Sequence, residues 1–256
     1  MVVDRAPLWR RLAAEFLGSM FLAAIVVGSG IAAQRLSPHQ VGLELLENAA
    51  ATALGLFTII LMFGPVSGGH FNPVVSFVDA AFGGLRWRSA MSYLPAQCAG
   101  CIAGAIVANV MFSGAAVSLS TKHRAGGAHF LSEVVATTGL ILLIFALARS
   151  GRSRNAPAAV GSYIGAAYFF TSSTSFANPA ITVGRMFSDS FAGIAPTSVP
   201  AFVIAQAAGG VLAFLIVKLL YPGMTRGEAS GIVVPHSGGS GDQQSGGSVP
   251  VHAQCR

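Results

Sequence analysis

Two asparagines, Asn72 and Asn178, are the residues best placed in this chain to act on a small molecule. Each precedes a proline, in Asn72-Pro73-Val74 and Asn178-Pro179-Ala180, and each pair opens a short apolar segment. Asparagine is a favoured helix N-cap, and proline suits the first helical position, where its missing N–H is not needed. Each pair therefore predicts a helix start. Both starts follow a long apolar run almost at once, and irregular backbone at membrane depth must be buried in protein or line a water-filled path. Matched breaks in the two halves of a chain point to a passage at the bilayer midplane. The chemistry on offer is hydrogen-bond donation from the two side-chain amides to a passing oxygen. No Ser/His/Asp arrangement or metal-ligand cluster falls within the apolar runs, so neither an enzyme nor a metal or cofactor site is expected.

Glu15 and Glu133 lie inside apolar runs, and such residues are costly enough to be functional candidates by default. A proton-relay role is one such function. His70, two residues before Asn72, reads either as a lining residue of the path or as a packed loop histidine. Cys98 and Cys101 lie in an apolar run and read as small packing residues; three cysteines in all make no disulfide framework.

The elements that position these residues are membrane spans. The chain has 256 residues, of which 53% are hydrophobic and 9% charged, with a net charge of +6. Mean hydropathy is +0.67. Soluble domains carry about 25% charge, so this composition belongs to the membrane class. Apolar runs predict spans at 12–33, 43–63, 90–112, 129–148, 157–173 and 199–220. Gly64-Pro65 is expected to end the second span, and Gly68-Gly69 to turn the chain back into the membrane. The segments opened by Asn72 (to about 82) and Asn178 (to about 187) are too short to cross and predict re-entrant half-helices. Residues 1–222 form one channel-like domain with repeats at 10–112 and 129–221, and the Gly/Ser-rich stretch 223–256 predicts a disordered tail.

The halves match in order: Glu15 with Glu133, Asn72-Pro73 with Asn178-Pro179, and the run 93–100 around Gln97 with the run 202–209 around Gln206. Three spans per unit is an odd number, so the second unit enters from the opposite side, which makes an inverted repeat. Arg5, Arg10, Arg11, Arg86, Arg88, Arg149, Arg152, Arg154, Lys218 and Arg226 fall on one side, against Arg35, Lys122 and Arg124 on the other. The richer side is expected to be cytoplasmic, with both termini there and the protein multi-pass in the inner (plasma) membrane. The basic excess is a topology signal, and no nucleic-acid partner is expected.

The run Ser67-Gly68-Gly69-His70-Phe71-Asn72-Pro73 and the triplet Asn178-Pro179-Ala180, set in six spans with an inverted repeat, resemble the major intrinsic protein family of aquaporins and aquaglyceroporins over about residues 10–221. Val74 replaces the alanine usual in the first triplet. The resemblance implies an all-α hourglass of six tilted helices around two half-helices, a pore inside each subunit, a homotetramer in the lipid bilayer, and glutamates that brace the re-entrant loops. Two half-helix N-termini facing each other would repel cations by their dipoles, and aquaporins are a standing example of that device.

In the family an arginine stands three residues after the second asparagine; here that position is Ile181, and the first arginine is Arg185, one turn later. By spacing from the asparagines, the other filter positions fall on Thr52, Ala166 and Ser175, all small. This predicts a wide filter lacking a fixed cation, with Arg185 either at the mouth or paired with Asp189. Neutral polyols such as glycerol, urea, arsenous acid and water are the expected permeants. The run Gly64-Pro65-Val66-Ser67 and the stretch before Asn178 resemble a bacterial subgroup associated with arsenic resistance. A water-selective channel and an ion-coupled secondary transporter are the alternatives.

Overall fold

The computed structural model describes residues 6–222; the expected tail at 223–256, with Arg226, lies outside the described residues, as does Arg5. Eight α-helices make up the described chain: α1 Leu8–Leu36, α2 Val41–Ser67, α3 Pro73–Phe82, α4 Trp87–Met111, α5 Gly127–Arg149, α6 Ala156–Phe170, α7 Pro179–Gly184 and α8 Val199–Leu220. Short 3₁₀ turns at Ser153–Asn155, Arg185–Phe187 and Pro196–Ser198 extend α6, α7 and α8. Helices α1, α2, α4 and α5, together with Pro196–Leu220, are long and apolar enough to cross a bilayer. With 15 residues, α6 is shorter than the expected span 157–173 and covers about 22 Å.

Two expectations about helix ends need correction. Gly64-Pro65 does not stop α2, which runs on to Ser67 and closes at Gly68, in left-handed conformation with φ 98° and its N–H on Gly64 O. Pro65 lacks only one ladder bond, and the glycine beyond it provides the cap. The Thr171 cap, in contrast, ends α6 early, because the chain must turn extended there to reach the second re-entrant loop.

Packing follows the repeat. Lipid offers no hydrophobic drive between helices, so close approach depends on small residues. A Cβ on Gly100 of α4 would sit 2.3 Å from Phe16 O of α1, and a Cβ on Gly209 of α8 would sit 2.7 Å from Val134 O of α5. Phe16 and Val134 each follow the repeat's glutamate, so the same contact is made twice. The crossing of α2 on α6 uses Gly161 against Ala53 O in the same way.

Both half-helices start as their sequence dictates. The Asn72 side chain accepts from Val74 N, and that of Asn178 accepts from Ala180 N and Ile181 N, with proline next in each case. Gly83, at φ 84°, closes α3. The α-helical part of α7 lasts only six residues before the 3₁₀ turn that carries Arg185.

Candidate functional site

A cavity of about 60 Å³ lies where the two half-helices meet, bounded by α1, α2, α3, α5, α6, α7 and both re-entrant loops. Its walls are largely aliphatic, with Leu22, Leu56, Ile60, Val75, Leu140 and Ile144 among them. Against that background the polar groups are few: Asn72, Asn178, Thr52, Tyr168, Ser175, His70 and Arg185.

The asparagines interlock. Asn72 Nδ2 donates to Ala177 O at 2.8 Å, and Asn178 Nδ2 donates to Phe71 O at 2.7 Å, so each half's amide is held by the other half's loop. Each Oδ1 is committed to its own half-helix as an N-cap. An amide nitrogen carries two hydrogens, which leaves one on each asparagine for the cavity it lines. The acceptor carbonyls belong to Phe71 and Ala177, both in left-handed backbone at φ 47°. That conformation is costly for residues with a Cβ and persists only where the surroundings fix it.

Buried glutamates do the fixing. Glu15, fully buried, accepts from His70 N, Phe71 N, Ser67 Oγ and Gln97 Nε2. Glu133, equally buried, accepts from Phe176 N at 2.9 Å, Ala177 N at 2.8 Å and Gln206 Nε2 at 2.7 Å. Each glutamine's amide also reaches the half-helix hydroxyl, Ser76 in one half and Thr182 in the other. Those hydroxyls donate to Asn72 O and Asn178 O. The chain carboxylate–glutamine–hydroxyl–asparagine carbonyl is thus built twice. The sequence signal of this role is the equal placement of Gln97 and Gln206 in the two repeats.

His70 lines the cavity at the α3 end. Ser76 gives its one proton to Asn72 O, so His70 Nδ1, 3.0 Å from Ser76 Oγ, is the donor in that pair, while Nε2 lies 3.5 Å from Asp79 Oδ2.

Of the four expected filter positions, one does not reach this cavity. Ala166 is exposed on the outer face of α6 and has no part in the cavity. Ile164 and Tyr168, four residues apart and hence on one helix face, line it instead. Counting back from Asn178 fails because α6 ends at Phe170 and the loop beyond it turns sharply through Thr174 and Ser175, both at positive φ. The Tyr168 hydroxyl is 3.1 Å from Thr52 Oγ1, which places an aromatic among residues expected to be small. Thr52, Ser175 and Ile181 do line the cavity.

Arg185 is not a partner of Asp189. Its guanidinium lines the cavity, donates from Nε to Ala192 O and stacks 3.4 Å from the Phe176 ring centroid. Asp189 accepts instead from Thr121 N and Thr121 Oγ1. The cavity wall therefore carries an arginine, from the 3₁₀ turn that follows α7. Beside it, Arg124 is buried and donates to Gly193 O, Ser173 O and Phe191 O, and Lys122 Nζ also donates to Phe191 O. Burial, then the nearby Arg124 and Arg185 charges, push the Lys122 ammonium down to about 8, and burial brings Arg124 down to about 10. Sequence reading treated Lys122 and Arg124 only as loop charges. Their role as ties between two loops depends on contacts across about 70 residues, which no local pattern encodes.

Among the described residues no group of three or more histidine, cysteine or acidic side chains could hold a metal ion.

Comparison with known proteins agrees with this geometry. The sequence profile of the major intrinsic protein family matches residues 2–177. Aquaglyceroporin AqpS of Rhizobium meliloti is 46% identical over 213 residues, covering 83% of this chain and 91% of that protein. The lens fiber major intrinsic protein of Bos taurus is 32% identical over 164 residues, covering 61% of this chain and 60% of that protein. In fold, the X-ray structure of the aquaglyceroporin from Plasmodium falciparum matches with a TM-score of 0.65 at 20% identity, covering 84% of this chain and 98% of that one. With the profile match spanning most of the chain and its paired Asn-Pro half-helices meeting at one cavity, this chain belongs to the major intrinsic protein family of membrane channels.

Proposed function

We propose that the protein is a passive transmembrane channel for small neutral solutes, with glycerol-like polyols, urea, undissociated arsenous acid and water as its permeants. The observation that carries this reading is the interlocked asparagine pair at the head of two opposed half-helices, in an otherwise aliphatic cavity. A solute sheds water against the aliphatic wall and recovers hydrogen bonds at the two spare amide N–H groups. A cation meets two positive helix ends and Arg185. Glu15 and Glu133 are each committed to backbone and glutamine donors, which leaves the ion-coupled transporter reading without a mobile carboxylate.

The flux of water, glycerol and arsenite into proteoliposomes tests this. Wild type is expected to pass all three without saturating and without response to an imposed ion gradient. Ile181→Arg adds a second guanidinium one turn from Arg185. It should lower glycerol and arsenite flux about tenfold, an added barrier of about 1.4 kcal/mol, with a much smaller effect on water. A second reading, a water-selective channel, is favoured by the Tyr168 and Arg185 side chains in the cavity wall. It predicts water flux alone in wild type, and that result would remove the solute reading while leaving the fold untouched.

The assembly is proposed to be a homotetramer in the inner membrane, with both termini cytoplasmic. Arg10, Arg11, Arg86, Arg88, Arg149, Arg152, Arg154 and Lys218 at one end of the spans support that orientation. Cysteine labelling of intact cells is expected to modify a cysteine placed at His123 and to spare one placed at Arg88; the reverse pattern would invert the topology.

A further inference from the structure

A second cavity, of about 310 Å³, opens on the outer surface between α3, the start of α4, and α8. Its walls are entirely apolar: Val74, Val78 and Phe77 of α3, Trp87 of α4, and Gly210 and Phe214 of α8 carry most of the argument. It extends from Val74, two residues past the pore asparagine, to Trp87 at the polar end of α4. The eight residues from Val74 to Ala81 rise about 10 Å along α3, about two thirds of the roughly 15 Å depth of one leaflet's acyl region. Trp87 is half exposed at 56% and stacks on Phe77, as an interfacial aromatic does.

The rim at that end is basic. Arg86 and Arg88 flank Trp87 and are exposed, and Lys218 Nζ stands 4.5 Å from the Phe214 ring centroid at the last turn of α8. An ion pair with an acidic side chain is not formed by any of the three among the described residues. A long apolar groove that ends in three unpaired cations matches one chemical class: a lipid with an acyl chain and an anionic headgroup.

We propose that this groove is a binding site for an anionic phospholipid, its acyl chain lying along α3 and its phosphate held by Arg86, Arg88 and Lys218. The site lies on the reverse side of the half-helix from the pore: Val74 and Val78 face the groove while Asn72 and Val75 line the central cavity. A bound chain would therefore support α3 from outside. The partner half-helix has no need of one, because a Cβ on Gly184 of α7 would lie only 2.7 Å from Cys101 of α4, so protein already fills that place.

Trp87 provides the readout. In the full-length Trp9→Phe background, Trp87 is the one remaining tryptophan. Its fluorescence is titrated with acyl-brominated phosphatidylglycerol and, separately, acyl-brominated phosphatidylcholine, in vesicles of unbrominated phosphatidylcholine. Quenching by the anionic lipid should reach half-maximum at roughly a tenfold lower mole fraction, as expected for a few basic side chains near a lipid surface. Arg86→Gln/Arg88→Gln/Lys218→Gln should bring the two curves together, and Ala207→Phe, which fills the groove from an exposed position on α8, should abolish the preference without unfolding the protein. Equal quenching by both lipids in the parent overturns the proposal, as does a preference that survives the triple substitution or the Ala207→Phe change. Solute flux does not enter the measurement, so a failure of the lipid site and a failure of the channel reading are separately visible.

Discussion

Asn178→Asp is expected to cut solute flux by tenfold or more while leaving the protein inserted and folded. The carboxylate keeps the capping bonds to Ala180 N and Ile181 N, and acids are favourable at helix N-termini. What it loses is the donor. Asn178 Nδ2 lies 2.7 Å from Phe71 O, and a carboxylate oxygen in its place sets acceptor against acceptor. Leaving that buried carbonyl without a partner costs about 1–3 kcal/mol, or roughly 5- to 150-fold in an equilibrium that the conducting geometry depends on. The second amide hydrogen, offered to the permeant, disappears as well. The negative charge also cancels much of the positive end of α7, so cation exclusion should weaken as solute flux falls. Stopped-flow glycerol uptake together with a membrane-potential dye measures both. Normal glycerol flux in Asn178→Asp, and again in Asn72→Asp, would refute a pore centred on these two residues.

Glu133→Ala is expected to remove most of the folded protein. It strands the N–H groups of Phe176 and Ala177 and one N–H of the Gln206 amide, all buried. At about 1–3 kcal/mol for each unpaired donor, the sum rivals the roughly 5–15 kcal/mol stability of a typical domain. The loop it releases is already strained, with Thr174, Ser175 and Ala177 at positive φ. Glu133→Gln keeps one acceptor oxygen and should fall between. Monodisperse yield after extraction and the midpoint of thermal unfolding check this. A Glu133→Ala protein of normal yield and midpoint that had lost only a pH-dependent transport step would instead revive the proton-relay reading.

The half-helices were the most legible part of the chain. Asn72, Pro73 and Gly83 are local signals of start and stop, and α3 runs between them. Glu15 and Glu133 were legible as charged residues in matched apolar runs, while their bracing of the loops came from the family resemblance. Ala166 illustrates what fails. Its choice rested on an ungapped count, and a helix face turns by about 100° per residue, so an error of two residues carries the choice from Tyr168 to the lipid side. Arg185 failed for a related reason. The 3₁₀ turn after Gly184 and the carbonyl of Ala192 aim its guanidinium at the cavity, and neither can be read from the spacing of Asn178 and Arg185.

The exchange of hydrogen bonds between Asn72 and Ala177, and between Asn178 and Phe71, has a bearing on biosynthesis. The chain emerges from the ribosome N-terminus first. When the first four helices have entered the bilayer, Asn72 has its own half-helix to cap but no carbonyl for its amide, because that carbonyl lies 105 residues downstream. The first re-entrant loop can be laid in place, yet it cannot be locked until the second arrives. The centre is thus a joint of the two halves, completed only when residues made 105 positions apart come together.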